Sequence, residues 1–211
     1  MADVEEIPVD EGWNHNTFHH PLVLAALPPG AERALDVGCG EGILSRELAG
    51  RVPHVVGLDA HRPTLEAAAA VPGSDVAYVE GDLCRHPFVP GSFDLVATIA
   101  TLHHVDAEVG LQQLADLVRP GGALVVVGLA RSQPRDWPTD TAGVVESRLR
   151  KRRARTTYRE VQAPTVWPPP VTYADMRALA DRLLPGATYR RHRMFRYSLT
   201  WTRPAAAVAA G

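Results

Sequence analysis

The segment Leu35-Asp36-Val37-Gly38-Cys39-Gly40-Glu41-Gly42 restricts the fold of this chain more than any other. An apolar run, an acid, three glycines at alternate positions and a helical pattern through Leu44 to Leu48 read as strand, tight turn and helix. Such glycines let a ligand approach the backbone at the carboxyl edge of a sheet. The same rhythm continues. Apolar runs at Val55 to Leu58, Val76 to Val79, Phe93 to Thr98 and Ala123 to Leu129 alternate with helical patterns at Leu65 to Ala70 and Leu111 to Leu117. That is the pattern of βαβ units and a parallel sheet buried on both faces. A turn is expected at Pro120-Gly121-Gly122. Farther on, a helix from Tyr173 to Leu184 is expected with Thr172 as N-cap and Pro185-Gly186 as its stop, followed by strands at Ala187 to Arg190 and Phe195 to Thr202. At 211 residues the chain has room for one large α/β domain and is short for two.

Charge decides what the glycine turn can hold. A pyrophosphate needs bare amides at a helix N-terminus, but here Asp36 ends the strand and Glu41 sits inside the loop, which would repel phosphates. The glycine spacing also departs from the dinucleotide fingerprint. A ligand with an ammonium and a sulfonium suits acids better. Asp59 closes the run Val55-Val56-Gly57-Leu58, where a carboxylate accepts both ribose hydroxyls of a nucleoside; its competing role is a helix N-cap ahead of Pro63. Asp82, after Val79-Glu80-Gly81, reads as a third acid at a third strand end, within reach of an adenine amino group.

These segments, with Gly91-Ser92-Phe93-Asp94-Leu95-Val96, Leu102-His103-His104 and Leu117-Val118-Arg119-Pro120-Gly121-Gly122, resemble class I S-adenosylmethionine-dependent methyltransferases over roughly residues 31 to 130. The similarity is to the small-molecule branch that includes the ubiquinone and menaquinone biosynthesis enzymes. It implies a Rossmann-like seven-stranded, mostly parallel sheet of order 3-2-1-4-5-7-6, with strand seven antiparallel and helices on both faces. It also implies S-adenosylmethionine as methyl donor and S-adenosylhomocysteine as product. Carried onto this sequence, Gly38, Cys39 and Gly40 would pack against the cofactor and Asp36 would hold its amino-acid end. Asp59 and Ala60 would bind the ribose, Asp82 and Leu83 the adenine, and Thr98, Ile99 and Ala100 the methionine end. Cys39 reads as a small buried spacer rather than a nucleophile.

The acceptor is less constrained. His103 and His104, after the fourth strand, are candidate general bases, with structural packing of either against a helix start as the alternative. His20 is a third candidate. The stretch Trp13-Asn14-His15-Asn16-Thr17-Phe18-His19-His20 mixes aromatic, imidazole and amide groups, and residues 1–30 are expected to fold over the site as a lid. Trp13, His15 and His19 would border the acceptor, and the stiff Trp167-Pro168-Pro169-Pro170 connector would present Trp167 at its mouth. Residues 31–204 then form the methyltransferase domain and 205–211 a flexible tail.

The formal net charge of -2 gives no global attraction to nucleic acid or anionic lipid. The run Arg148 to Arg155 is the local exception, read as a solvated helix face or a homodimer contact; an RNA-binding surface for tRNA or rRNA methylation is the rival. A non-catalytic cofactor-binding module is the second rival. Neither the two cysteines nor the histidines have metal-ligand spacing, so no metal is expected. With no membrane-spanning run and an acidic start, a cytoplasmic protein acting on a small molecule is expected, with no nucleic-acid or membrane partner.

Overall fold

The computed structural model of the protein describes residues 16–136, 166–192 and 195–205. A single-turn 3-10 helix at Thr17–His19 leads into α1 (His20–Ala25), followed by β1 (Arg33–Val37), α2 (Ile43–Ala49), β2 (His54–Asp59), α3 (Arg62–Ala69) and β3 (Val76–Glu80). Then come β4 (Phe93–Ile99), a second 3-10 turn at Leu102–His104, α4 (Ala107–Leu117) and β5 (Val118–Leu129). The last elements are α5 (Tyr173–Leu183), β6 (Thr188–Arg191) and β7 (Arg196–Thr202).

The strands form one seven-stranded sheet in the order β3-β2-β1-β4-β5-β7-β6. The pairs from β3 through β5 are parallel, and β7 runs antiparallel to both β5 and β6, as the resemblance implied. Alternation along each strand sends its residues to two cores. On one face Val96, Leu124 and Val126 pack with Leu111 and Leu114 of α4 and Met176 and Ala180 of α5. On the other, Leu95, Ala97, Val125 and Val127 pack with Val23 of α1 and Leu44 and Leu48 of α2. The unbroken apolar runs thus need no polar face, because helices cover both sides. Thr172 caps α5 by accepting from the Asp175 amide, while the Asp175 carboxylate accepts from the Thr172 amide.

Three local expectations are corrected. Pro120-Gly121-Gly122 is not a turn preceding a strand but an irregularity inside β5: Phe93 pairs with Val118, yet Leu95 pairs with Ala123. The Gly121 amide donates to Arg203 O at 2.8 Å and the Arg203 amide to Gly122 O at 2.9 Å. The extra residues are therefore a bulge completed by chain arriving from beyond β7, a partner that local glycine and proline signals do not reveal. Asp82 does not end β3; the strand stops at Glu80 and Asp82 lies in the turn beyond. Asp59 does not cap α3, whose N-cap position is His61, so the capping alternative is removed.

Among the described residues no helix is long and apolar enough to cross a membrane. The basic run Arg148 to Arg155 lies outside the described residues, as do Trp13, His15 and most of the proposed tail.

Candidate active site

The carboxyl ends of β1, β2 and β4 surround a cavity of about 440 Å³. Its floor is the glycine loop. After Val37 the amides of Gly38 and Cys39 both donate to Leu58 O, at 2.7 and 3.1 Å, folding the loop back onto β2. The loop's first two glycines do different work. Gly38, at φ +72°, has no room for a side chain because a Cβ would meet the Thr101 side chain. Gly40, at φ +52°, has nothing within 4 Å of where its Cβ would stand. Gly38 is thus dictated by packing within the protein, whereas Gly40 leaves open space above the backbone for a ligand.

Asp36 and Asp59 flank this loop. Asp36 is 2 % exposed and accepts a hydrogen bond from the Ser45 hydroxyl at 2.7 Å. Burial raises its carboxyl to about 6, against the lowering effect of the Ser45 bond. Asp59 receives the Gly40 amide at 2.7 Å on Oδ2 and the His61 amide at 2.8 Å on Oδ1. Each oxygen keeps further acceptor capacity, so the side chain fixes the loop without being used up by it. The Asp82 carboxylate accepts the Cys84 amide at 2.8 Å; Ala60, Asp82 and Leu83 line the cavity. Cys39 lines it too, but burial first, then Asp36 and Asp59, push its thiol far up, so it stays protonated and is no nucleophile at neutral pH.

From β4, the Thr98 hydroxyl donates to Val37 O at 2.9 Å, bracing the two strands where they meet the cavity. Ile99 follows, then Ala100 at φ +57°, whose amide donates to Val127 O at 2.7 Å. This strained turn carries the chain to the paired histidines, which the fold separates. His104 lines the cavity; His103 is buried and is not among its described lining residues. Burial foremost, then His104 and Arg196, hold His103 down to about 4. Burial also lowers His104, with Asp59 opposing it.

The first described residues approach the same cavity, with Asn16, Thr17 and His20 on its wall. His19 points elsewhere, its ring 5.1 Å from that of His192. Trp167 rests edge-on against Phe195 at 5.3 Å and is not among the described lining residues either. Residues the sequence did not single out include Thr64, His61 and Glu47, the last joined to His20 Nδ1 at 2.9 Å. His61 follows Asp59 by two positions and was within reach of motif reading. Glu47 was not, since a surface acid on a helix has no sequence mark. Among the described residues no group of His, Cys, Asp and Glu could hold a metal ion.

The methyltransferase domain family matches residues 35–126, from β1 into β5. An uncharacterized methyltransferase of Mycobacterium tuberculosis is 34% identical over 198 residues, covering 93% of this chain and 100% of that one. A demethylmenaquinone methyltransferase of Beutenbergia cavernae is 37% identical over 125 residues, 59% of this chain and 50% of that one. The crystal structure of an S-adenosylmethionine-dependent methyltransferase from Mesorhizobium loti superposes with a TM-score of 0.59 over 88% of this chain and 97% of that one, at 19% identity, a likeness of fold. Similarity to a methyltransferase along that protein's whole length, carried on this sheet and this glycine loop, makes the chain a member of the methyltransferase family.

Proposed function

We propose that this protein transfers a methyl group from S-adenosylmethionine to an oxygen, nitrogen or activated carbon of a small organic acceptor, aromatic or natural-product-like in character. The observation that carries the reading is the charge of the cavity: Asp36, Glu41, Asp59 and Asp82 line it and no Lys or Arg does so among its described residues. That wall repels phosphates and suits a cationic nucleoside. Open space above Gly40 fits a ligand lying against the loop. Relatives named for demethylmenaquinone and ubiquinone methylation support a small-molecule acceptor.

When bound, the cofactor supplies an electrophilic methyl on a sulfonium with a thioether as leaving group. The chain's own residues orient and desolvate. Asp36 would take the ammonium, and Asp59, already fixed by two amides, would use its remaining lone pairs on the ribose hydroxyls. Asp82 and Leu83 would border the adenine. The turn from Thr98 through Ala100 would seat the methionine end. His104, on the cavity wall and lowered from its ordinary value by partial desolvation, is the group to take a proton from the acceptor.

Calorimetric titration with S-adenosylmethionine and S-adenosylhomocysteine tests the donor. Binding is expected for the wild type, with Asp59→Ala weakening it about 10- to 100-fold through lost charge-assisted hydrogen bonds. Incubation with extract of the source organism and the donor should give a small product heavier by one methylene. Methyl incorporation into RNA would overturn the acceptor class. Cofactor binding with no methylated product would make the protein a binding module.

A further inference from the structure

Among the described lining residues no Lys or Arg faces one part of the proposed cofactor. Its amino-acid end bears an α-carboxylate, and a carboxylate taken out of water needs a cationic donor or several aligned amides. Among the described lining residues the groups able to carry positive charge are three imidazoles, His20, His61 and His104. His61 donates its amide to Asp59 and belongs to the nucleoside side. His104 is lowered by burial and is electrostatically coupled to Asp59.

His20 stands apart by its contacts. It is buried at the start of α1, its Nδ1 lies 2.9 Å from Glu47 Oε1 of α2, and it interacts electrostatically with Asp36. With Nδ1 engaged, Nε2 is the ring nitrogen left for a ligand. An α-amino acid carries ammonium and carboxylate on neighbouring atoms, so it needs an acid and a cation side by side. Asp36 and His20 are such a pair.

We propose that His20, positioned by Glu47, is the seat of the cofactor's α-carboxylate, an assignment that rests on the S-adenosylmethionine reading given above. Glu47 accepts the Nδ1 proton and fixes the ring, and the imidazolium Nε2–H donates to the carboxylate. An imidazolium engaged at both nitrogens cannot accept a proton from the methyl acceptor. His20 therefore leaves the candidate bases, and His104 keeps that role.

The test is calorimetric binding of three ligands to the full chain: S-adenosylhomocysteine, its decarboxylated analogue, and methylthioadenosine, which lacks the amino-acid tail. Wild type should prefer the carboxylate-bearing ligand over the decarboxylated one by about 10- to 100-fold. His20→Gln should bring that ratio to within about threefold of unity while leaving methylthioadenosine affinity within about twofold. Glu47→Gln should lower the ratio by about three- to tenfold, as a weaker orienting bond would. Since the Glu47 side chain is 30 % exposed, this second variant decides the matter if His20→Gln does not fold. An unchanged ratio in the variant that folds, or equal weakening of all three ligands, overturns the assignment alone. A wild type that binds none of the three overturns the cofactor reading with it.

Discussion

Replacing Asp36 with Asn separates what the buried carboxylate does for a cationic ligand from what it does to the fold. Its carboxyl is raised from 3.8 to about 6, first by burial, with Ser45 and His20 pulling it down and Asp59 pushing it up. A rise of about two units corresponds to about 3 kcal/mol between the protonated and ionised forms. The sign follows from the raised value: the stabilising contribution is complete below the unfolded value and is lost as pH rises through about 6. About one unit of that loss falls between pH 5 and pH 8, so the ligand-free wild type should give up about 1.4 kcal/mol through this group. Asn has the same shape, can accept the Ser45 hydroxyl and does not titrate. The stability of Asp36→Asn relative to wild type should therefore grow by about 1.4 kcal/mol over that interval, or about 3–6 °C in melting temperature for a chain of this size. Urea unfolding at the two pH values measures the difference, and any pH-independent effect of the substitution cancels. Calorimetry at pH 8 should meanwhile find binding of S-adenosylhomocysteine weakened by about tenfold or more. A stability difference that stays flat or shrinks between the two pH values would refute the claim that burial outweighs the Ser45 and His20 contacts in setting this carboxyl.

The two glycines should part company in the same assays. Gly38→Ala, forced against Thr101 at a positive φ, is expected to cost about 2–4 kcal/mol in denaturant melts. Gly40→Ala is expected to cost only about 1 kcal/mol while weakening S-adenosylhomocysteine, because its methyl enters open cavity. His103 titrates with the opposite sign to Asp36. Its lowered value, about 4 against an ordinary 6.5, means that stability is complete above the ordinary value and is lost as pH falls toward the lower one. His103→Gln should thus remove up to about 3 kcal/mol of acid sensitivity, seen as melting curves that fall less steeply below neutrality than those of the wild type.

Much of this was legible because periodicity and turn chemistry act locally. Except at the start of β5, the apolar runs became strands within a residue or two, since both faces of the sheet are covered and no polar alternation disturbs the signal. The Thr172 cap was readable for the same reason. The Pro120-Gly121-Gly122 segment misled because its hydrogen-bond partner, Arg203, is distant in sequence, and only the sheet brings the two together. The acids of the glycine loop pointed to a cationic ligand, and Asp59, at the end of β2, turned out to tie that loop as well as face the cavity. His103 and His104, adjacent in sequence and with ring centroids 4.1 Å apart, could not be told apart before the 3-10 turn sent one to the core and one to the cavity. The link from Glu47 to His20 joins two helices and carries no motif.

The strand order has a consequence for how the chain acquires its shape. β6 precedes β7 in sequence, yet β7 lies between it and β5, pairing Leu129 with Arg196 at one end and Ala123 with Thr202 at the other. During synthesis β6 has no strand to join until β7 has emerged, and the exposed rim of β5 stays unpaired for just as long. The parallel half has one distant pairing of its own, β1 with β4 across the intervening β2 and β3. The antiparallel corner adds a second long-loop closure, slow to form and open to wrong strand pairing in the nascent protein.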